Sequence, residues 1–269
     1  MRKNVSVIIP TYESGEALER CLRSLKEQSY PINEITVVDG FSKDNTREKA
    51  FRFGAKVILA LGTQAAARNV GLSHSRGDYV LFLDSDQRLE AGVVKDCILT
   101  CLKQEVEAVK IPETFVGLNF WGKCSALWKN RMVEAWGPKG GIPRFYRRSA
   151  LLESSTFNDR LRFWEDLELY QRLKLGGLRE VWCRRRIIHY ENDSLQDVIQ
   201  KYVSYGRSMI AFRGNSIKAP YASTARLTLS TMAHILRDPG RSLNVFLGCL
   251  FLVTVKGLSV ALGFLSRLR

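Results

Sequence analysis

None of the six cysteines is placed for metal or disulfide chemistry. Cys21, Cys97, Cys101, Cys124, Cys183 and Cys249 form no CxxC pair, and none of the three histidines stands at ligand spacing from them. A zinc site is excluded on that ground, and the scatter suits small hydrophobes in a reducing compartment. The N-terminal segment lacks the hydrophobic stretch of a signal peptide, because its short apolar run ends at Pro10. The N-terminus is therefore expected on the cytoplasmic side. Neither GxGxxG nor GxxxxGK[ST] follows any apolar run, which removes the dinucleotide and P-loop folds. Internal repeats and low-complexity tracts are also missing. With 45% hydrophobic and 25% charged residues, a disordered, collagenous or disulfide-knotted chain is excluded.

What is present is a positive charge concentrated at one end. Of the net +14, residues 195–269 carry +8, from ten Lys/Arg against two Asp/Glu. A basic tail seeks an anionic partner, either nucleic acid or the negative face of a membrane. Its last part, Leu243–Leu265, is the most apolar segment of the chain. As a helix it would reach about 35 Å, enough to cross a bilayer. Lys256 interrupts it and Arg237, Arg241, Arg267 and Arg269 flank it, which favours a helix lying in or tilted through the membrane interface. A core or oligomer-packing helix is the alternative.

Before residue 112, short apolar runs alternate with helical periods. Val5–Ile9, Ile35–Val38, Val57–Leu59 and Tyr79–Leu83 read as buried strands. Glu16–Gln28, a segment containing Lys49–Phe53, and Gln64–Ser73 read as helices. Strands this short and apolar on both sides predict an α/β fold with a parallel sheet covered by helices. Residues 112–195 are less regular and hold a helix at Trp164–Leu175 and a strand at Ile187–Tyr190. Amphipathic helices follow at Leu195–Phe212 and Ser223–Arg237.

Ligands of open α/β sheets bind at the carboxyl ends of the strands. Three polar groups fall there: Thr11–Glu13, Asp39 and Asp84. In YVLFLDSD a buried strand delivers Asp84 and Asp86, with Ser85 between them. Residues i and i+2 past a strand can reach one cation, and two hard oxygen ligands suit Mg²⁺ or Mn²⁺ completed by phosphate oxygens and water. A bare DxD is also common in Asx turns. Asp39 could accept from a base N–H or ribose hydroxyls, or simply hold a turn with Gly40. Arg68 lies in an Ala-rich helix near this acidic edge, where it could balance phosphate charge.

VSVIIPTYES, VVDGFSKDNT, GTQAAARNVGL and GDYVLFLDSD, in this order and spacing, closely resemble the nucleotide-binding half of family 2 glycosyltransferases. The resemblance covers about the first 190 residues. It implies a GT-A fold and an inverting transferase using a nucleotide-diphosphate sugar and a divalent cation. By residue matching, Pro10, Tyr12, Glu13 and Asp39 would surround base and ribose, with Arg68 nearby. Asp84 and Ser85 would border the nucleotide, and Asp86 would hold the metal with Asp84. Trp164-Glu165-Asp166 resembles the acidic motif whose Asp is the general base. Inversion needs one carboxylate to deprotonate the acceptor hydroxyl opposite the leaving diphosphate. Glu165 and Asp166 point about 100° apart on a helix, and Asp166 is the one expected to face the cleft. His189 resembles a late His that could ligate the metal or bind a diphosphate oxygen; a satisfied strand-end His is the alternative. Gly140-Gly141 resembles the loop beside the acceptor. The QxxRW motif of processive synthases is missing, which implies transfer of one sugar per encounter.

The expected organisation is a GT-A domain over residues 1–194, an amphipathic helical extension over 195–242 and a membrane-associating helix over 243–269. The expected acceptor is membrane-linked: a polyprenyl phosphate, a lipid-linked saccharide or a glycolipid. The expected location is the cytoplasmic face of the cell membrane; an oligomer is left open and nucleic acid is not expected as a partner. Two rivals remain. A sugar-phosphate nucleotidyltransferase would need a basic Gly-rich loop after the first strand, where Pro10–Gly15 is acidic instead. A basic nucleic-acid-binding protein would need a recognisable motif, and none is present.

Overall fold

Val5, Val7 and Ile9 point to one face of strand β1 (Val5–Thr11) and Ile8 to the other, and all four are fully buried. A strand with no solvent face must be covered on both sides, at roughly 1.5–3 kcal/mol per buried aliphatic side chain. The computed structural model describes residues 2–137, 141–153, 156–212, 221–240 and 242–266. The chain divides into two compact units, Met1–Glu113 with Ile142–Ile188, and Thr114–Gly141 with His189–Arg269.

The first unit is built on a seven-stranded sheet. Strands β2 (Glu34–Asp39), β3 (Lys56–Leu59) and β4 (Tyr79–Phe82) run parallel with β1 in the order β3-β2-β1-β4. The later strands β6 (Ala108–Lys110), β8 (Phe145–Arg147) and β9 (Glu180–Trp182) extend the sheet as β4-β8-β6-β9, with β8 antiparallel to both neighbours. Helices α1 (Gly15–Lys26) and α4 (Val93–Gln104) contribute to the core on the Val5/Val7/Ile9 face. On the Ile8 face lie α3 (Gln64–Ser73) and α7 (Glu165–Leu175). Helix α2 (Thr46–Arg52) follows β2, and the short β5 (Gln87–Leu89) and α6 (Arg148–Glu153) complete the unit. From β1 the chain steps outward to β2 and β3, then returns past β1 to β4. That reversal opens a crevice at the carboxyl ends of β1 and β4. All six cysteines are buried and unpaired, and burial pushes the Cys101 thiol up to about 12.

Strands β7 (Glu113–Gly117) and β10 (Ile187–Glu191) carry the boundary between units. The second unit is helical: α5 (Phe120–Trp136), α8 (Leu195–Phe212), α9 (Tyr221–Arg237) and α10 (Leu243–Leu265). Its core joins Cys124, Val198, Ile235, Cys249 and Leu252. Helices α8 and α10 touch backbone to backbone, since a Cβ on Gly263 would sit 2.0 Å from the Val203 carbonyl oxygen and one on Gly206 2.1 Å from that of Val260. The unit therefore takes α5 from inside residues 1–194, where the sequence places no boundary.

The sequence suggests that Lys256 interrupts the apolar length of α10. It does not interrupt the outer face. Lys256 is buried on the packed side with Cys249, Leu252, Ser259 and Gly263. Leu243, Leu247, Phe251, Leu258, Leu262 and Leu265 form a continuous exposed stripe opposite. Arg237 is exposed, whereas Arg241, Arg267, Arg269 and Gly140 lie outside the described residues.

Candidate active site

The carboxyl ends of β1 and β2 lie side by side, with Thr11 in register with Asp39. Asp39 is fully buried and accepts from the Thr11 hydroxyl at 3.1 Å, from the Ser42 backbone N–H at 2.8 Å and from the Ser42 hydroxyl at 2.5 Å. Arg47 Nε stands 4.0 Å from its Oδ2. A carboxylate offers about four acceptor sites, so most of Asp39 is spent on shaping this loop. Ser42 in turn accepts from the Glu13 N–H at 2.8 Å and holds Glu13 in the left-handed region at φ 47°. Gly40 belongs here for a steric reason: a Cβ would lie 3.3 Å from Tyr12 Cδ2. The result is a shelf of two exposed aromatic side chains, Tyr12 and Phe41, beside Asp39, with Pro10 half-buried in β1 and Glu13 exposed.

The second cluster forms where β4 ends. Asp84, Ser85, Asp86 and Gln87 make a turn closed by Gln87 N–H donating to the Asp84 carbonyl at 3.1 Å, while Asp84 N–H donates to Gln87 Oε1 at 3.0 Å. Asp84, Ser85 and Asp86 are all half-buried. Arg68 comes from α3, whose buried face is Ala65, Arg68 and Leu72. Gly71 allows that helix to lie against β1, since a Cβ there would meet Ile8 Cγ2 at 2.3 Å. Close packing drives Arg68 into the end of the sheet. Its Nη2 donates to Asp84 Oδ1 at 2.9 Å, and its Nη1 donates to Glu165 Oε1 at 2.7 Å. Gln64 also donates to Asp84 Oδ1, at 2.9 Å. Arg144, just before β8, donates to Asp84 Oδ2 at 3.0 Å and through Nε to Glu113 at 2.6 Å. Three carboxylates and two guanidiniums thus alternate as Glu165–Arg68–Asp84–Arg144–Glu113. Both oxygens of Asp84 are held by this network, which makes it an anchor for two arginines more than the metal co-ligand that the motif suggests.

Helix α7 begins on Trp164, a bulky residue in the left-handed region at φ 70°. Such backbone is costly for a side chain of this size. It sets the direction of the two acidic residues that follow. Glu165 turns inward to Arg68 and is buried; Asp166 is half-buried, and its Oδ1 accepts from the Leu167 N–H at 2.8 Å. Burial, then the negative charge of Asp166, pushes Glu165 up to about 7, against the pull of Arg68. Arg144 is held above its usual value because Glu113 and Asp84 outweigh its burial, and Asp166 adds to that field. Asp166 therefore acts on the same network from its more exposed position.

The raised Glu165 has a stability consequence. A carboxyl raised from 4.5 to about 7 binds more protons folded than unfolded between those values. Stability then falls as pH rises through that window. Melting temperature followed from pH 4.5 to pH 8 should drop more steeply for the wild type than for Glu165→Gln; parallel curves would refute it.

His189 lies on β10 in the second unit, its ring 5.0 Å from that of Phe115. Among the described residues no three His, Cys, Asp or Glu side chains gather into a metal cage. Arg144, Gln64 and Ser42 complete the site without having been singled out in the sequence, whereas Thr11 belongs to the Thr11–Glu13 group expected at the strand end. Arg144 stands 60 residues beyond Asp84, and nothing local announces their pairing. Gln64 and Ser42 had a signal, since both stand inside matched motifs, GTQAAARNVGL and VVDGFSKDNT, with Gln64 one helical turn before Arg68.

Residues 6–158, more than half of the chain, match the family described as Glycosyl transferase family 2. Glycosyltransferase AglE of Haloferax volcanii is 39% identical over 103 residues, 33% of this chain and 34% of its own length. The Escherichia coli UDP-Glc:alpha-D-GlcNAc-diphosphoundecaprenol beta-1,3-glucosyltransferase WfgD is 33% identical over 107 residues, 38% of this chain and 42% of its own. The chain therefore spans well under half the length of these relatives. Among solved structures, the mannosyltransferase PcManGT of Pyrobaculum calidifontis, in complex with GDP-Man and Mn²⁺, superposes with a TM-score of 0.60 at 19% identity, covering 98% of this chain and 88% of that one. At that identity the likeness concerns the fold, which is GT-A. Because the family match runs from β1 through the DxD turn to β8 and beyond, the chain belongs to glycosyl transferase family 2.

Proposed function

We propose that the protein is an inverting transferase that moves one sugar from a nucleotide-diphosphate sugar to a membrane-linked acceptor, in a metal-dependent reaction. The observation that carries this reading is the Asp84 network. Two buried or half-buried arginines, fixed by carboxylates, border the end of β4, while the aromatic shelf stands at the neighbouring ends of β1 and β2. Tyr12 and Phe41 offer stacking faces to a base, and Asp39 keeps the loop in shape beside them. Arg68 and Arg144 lend positive potential to a diphosphate.

The donor set suits a cation shared with substrate. A hard divalent ion such as Mg²⁺ or Mn²⁺ is held by one or two carboxylates plus phosphate oxygens and needs no protein cage. Asp86 is the residue we assign to it, since Asp84 already serves two guanidiniums. When bound, the ion neutralises charge developing on the leaving diphosphate. Asp166 accepts the proton of an acceptor hydroxyl, and Glu165 positions Arg68. The relatives support the substrate classes: WfgD is named for UDP-Glc and a diphosphoundecaprenol-linked acceptor, and PcManGT was solved with GDP-Man and Mn²⁺. The exposed stripe of α10 and the basic C-terminal part support a location on the anionic cytoplasmic face of the membrane.

The test supplies sugar-labelled and nucleotide-labelled donors with a membrane lipid extract, with and without EDTA. Sugar label entering the lipid phase only without EDTA is the expected result. Nucleotide label in the product would replace this reading with a nucleotidyltransferase.

A further inference from the structure

The second unit holds a group of cations that sugar transfer does not use. Lys256 projects from the most apolar helix into the packed interior and is 5% exposed. Its Nζ donates to Ser125 Oγ at 3.1 Å and lies 5.0 Å from the centre of the Tyr202 ring. Lys129 and Lys201 are near enough to repel it, and Glu191 near enough to attract it. Glu191 is already engaged by Lys129 at 2.5 Å, and Lys201 stands 3.4 Å from Asp193. Lys129 and Lys201 thus have carboxylates in Glu191 and Asp193, with Asp197 also acting on Lys201, whereas Lys256 makes no ion pair of its own among the described residues.

Burying an ammonium without a carboxylate of its own is costly, and a Leu or Met at this position would pack as well without that cost. An ionisable group facing the interior of an apolar helix bundle commonly marks a ligand site. The residues grade outward: Lys256 is buried, Lys129 is 19% exposed at its side chain and Lys201 is 40% exposed. Such an arrangement receives a compact, multiply charged anion from outside. The stripe of α10, on the face opposite Lys256, makes a membrane the surface beside which such an anion is met.

We infer that Lys129, Lys201 and Lys256, with the Ser125 hydroxyl, form a binding site for the phosphate or diphosphate headgroup of a lipid. This rests on the reading that the acceptor is membrane-linked, and it places recognition of the phosphate outside the catalytic centre. Lys129 is shared with Glu191, so the phosphate competes for it. Lys256 and Ser125 are the fixed inner part, and Lys201 is the outer one.

Binding is read without donor, so its failure would leave sugar transfer untouched. The full chain is titrated with phosphatidylcholine vesicles that are plain, carry farnesyl phosphate, or carry phosphatidylserine at equal surface charge; inorganic diphosphate is titrated separately. The expected result is at least about tenfold tighter binding to farnesyl phosphate than to phosphatidylserine vesicles, the size of one good charged contact. Lys256→Met and Lys201→Gln should each lose that preference while still binding plain vesicles through the stripe. Lys256→Met should melt no lower than the wild type, because it removes a charge that is costly to bury. Inorganic diphosphate binding that weakens equally in both variants would assign the site to soluble phosphates instead and overturn the lipid assignment. Equal binding to phosphatidylserine and farnesyl phosphate, or an unchanged preference in both variants, would overturn the site itself.

Discussion

Asp86→Ala should lower turnover by about 10²–10³, the loss typical when one preorganised stabiliser of developing charge is removed. Wild type in EDTA should fall to the same level, and the variant should lose little more on chelation, because both changes remove one interaction. Melting temperature should hardly move. Asp84→Asn provides the contrast. Arg68 is buried and Arg144 half-buried, so taking away half of their shared countercharge unsettles the sheet end; breaking one partner of a buried ion pair costs about 3–5 kcal/mol. A variant of Asp84 that loses activity and keeps its stability would contradict the anchoring role. An Asp86 variant that remains fully active and EDTA-sensitive would remove Asp86 from the metal.

In the first half of the fold β1 and β4 were legible because they are buried on both faces, so that Val7–Ile9 and Tyr79–Phe82 stand out as apolar runs, whereas the more exposed β3 gives a weaker signal. Helix α3 was readable to its ends, with Thr63 capping Ala66 N–H at 3.2 Å. After residue 90 these signals fade. Helix α4 starts on Gly92 in the left-handed region and buries Val93, Val94, Cys97, Ile98 and Cys101, a face in which two of five positions are cysteines. Strands β6, β8 and β9 have three residues each, too few to show a period. Helix α5 faces more than one neighbour and mixes Trp, Lys and Gly, so it lacks a clean stripe. The site divides the same way. Asp39, Asp84 and Asp86 follow strands and were found by position. Arg144 reaches Asp84 only because β8 returns antiparallel beside β4, a pairing that no local pattern encodes. Lys256 was visible as an oddity in an apolar helix, but which way it faced depended on Ser125, far away in sequence.

Asp166→Asn separates two chemistries for the acceptor. With a hydroxyl nucleophile, the proton must leave as the bond to the sugar forms, and removing the base should cost about 10²–10⁴ in kcat. KM for the donor should change little, since Asp166 is not among the groups assigned to base or diphosphate. A phosphate nucleophile is already ionised near neutral pH, and the same substitution would then leave kcat within about tenfold of the wild type. Glu165→Gln controls for charge at the helix start. It keeps the side chain against Arg68 but weakens the pair, so it should act through Arg68 on donor KM and leave kcat nearer that of the wild type. A large kcat loss in Asp166→Asn, together with a lysine cluster that binds lipid phosphate, would make the phosphate a handle on a lipid-linked saccharide. A small loss would instead assign the nucleophile to an already ionised group at the catalytic centre, distinct from the phosphate held at the lysine cluster.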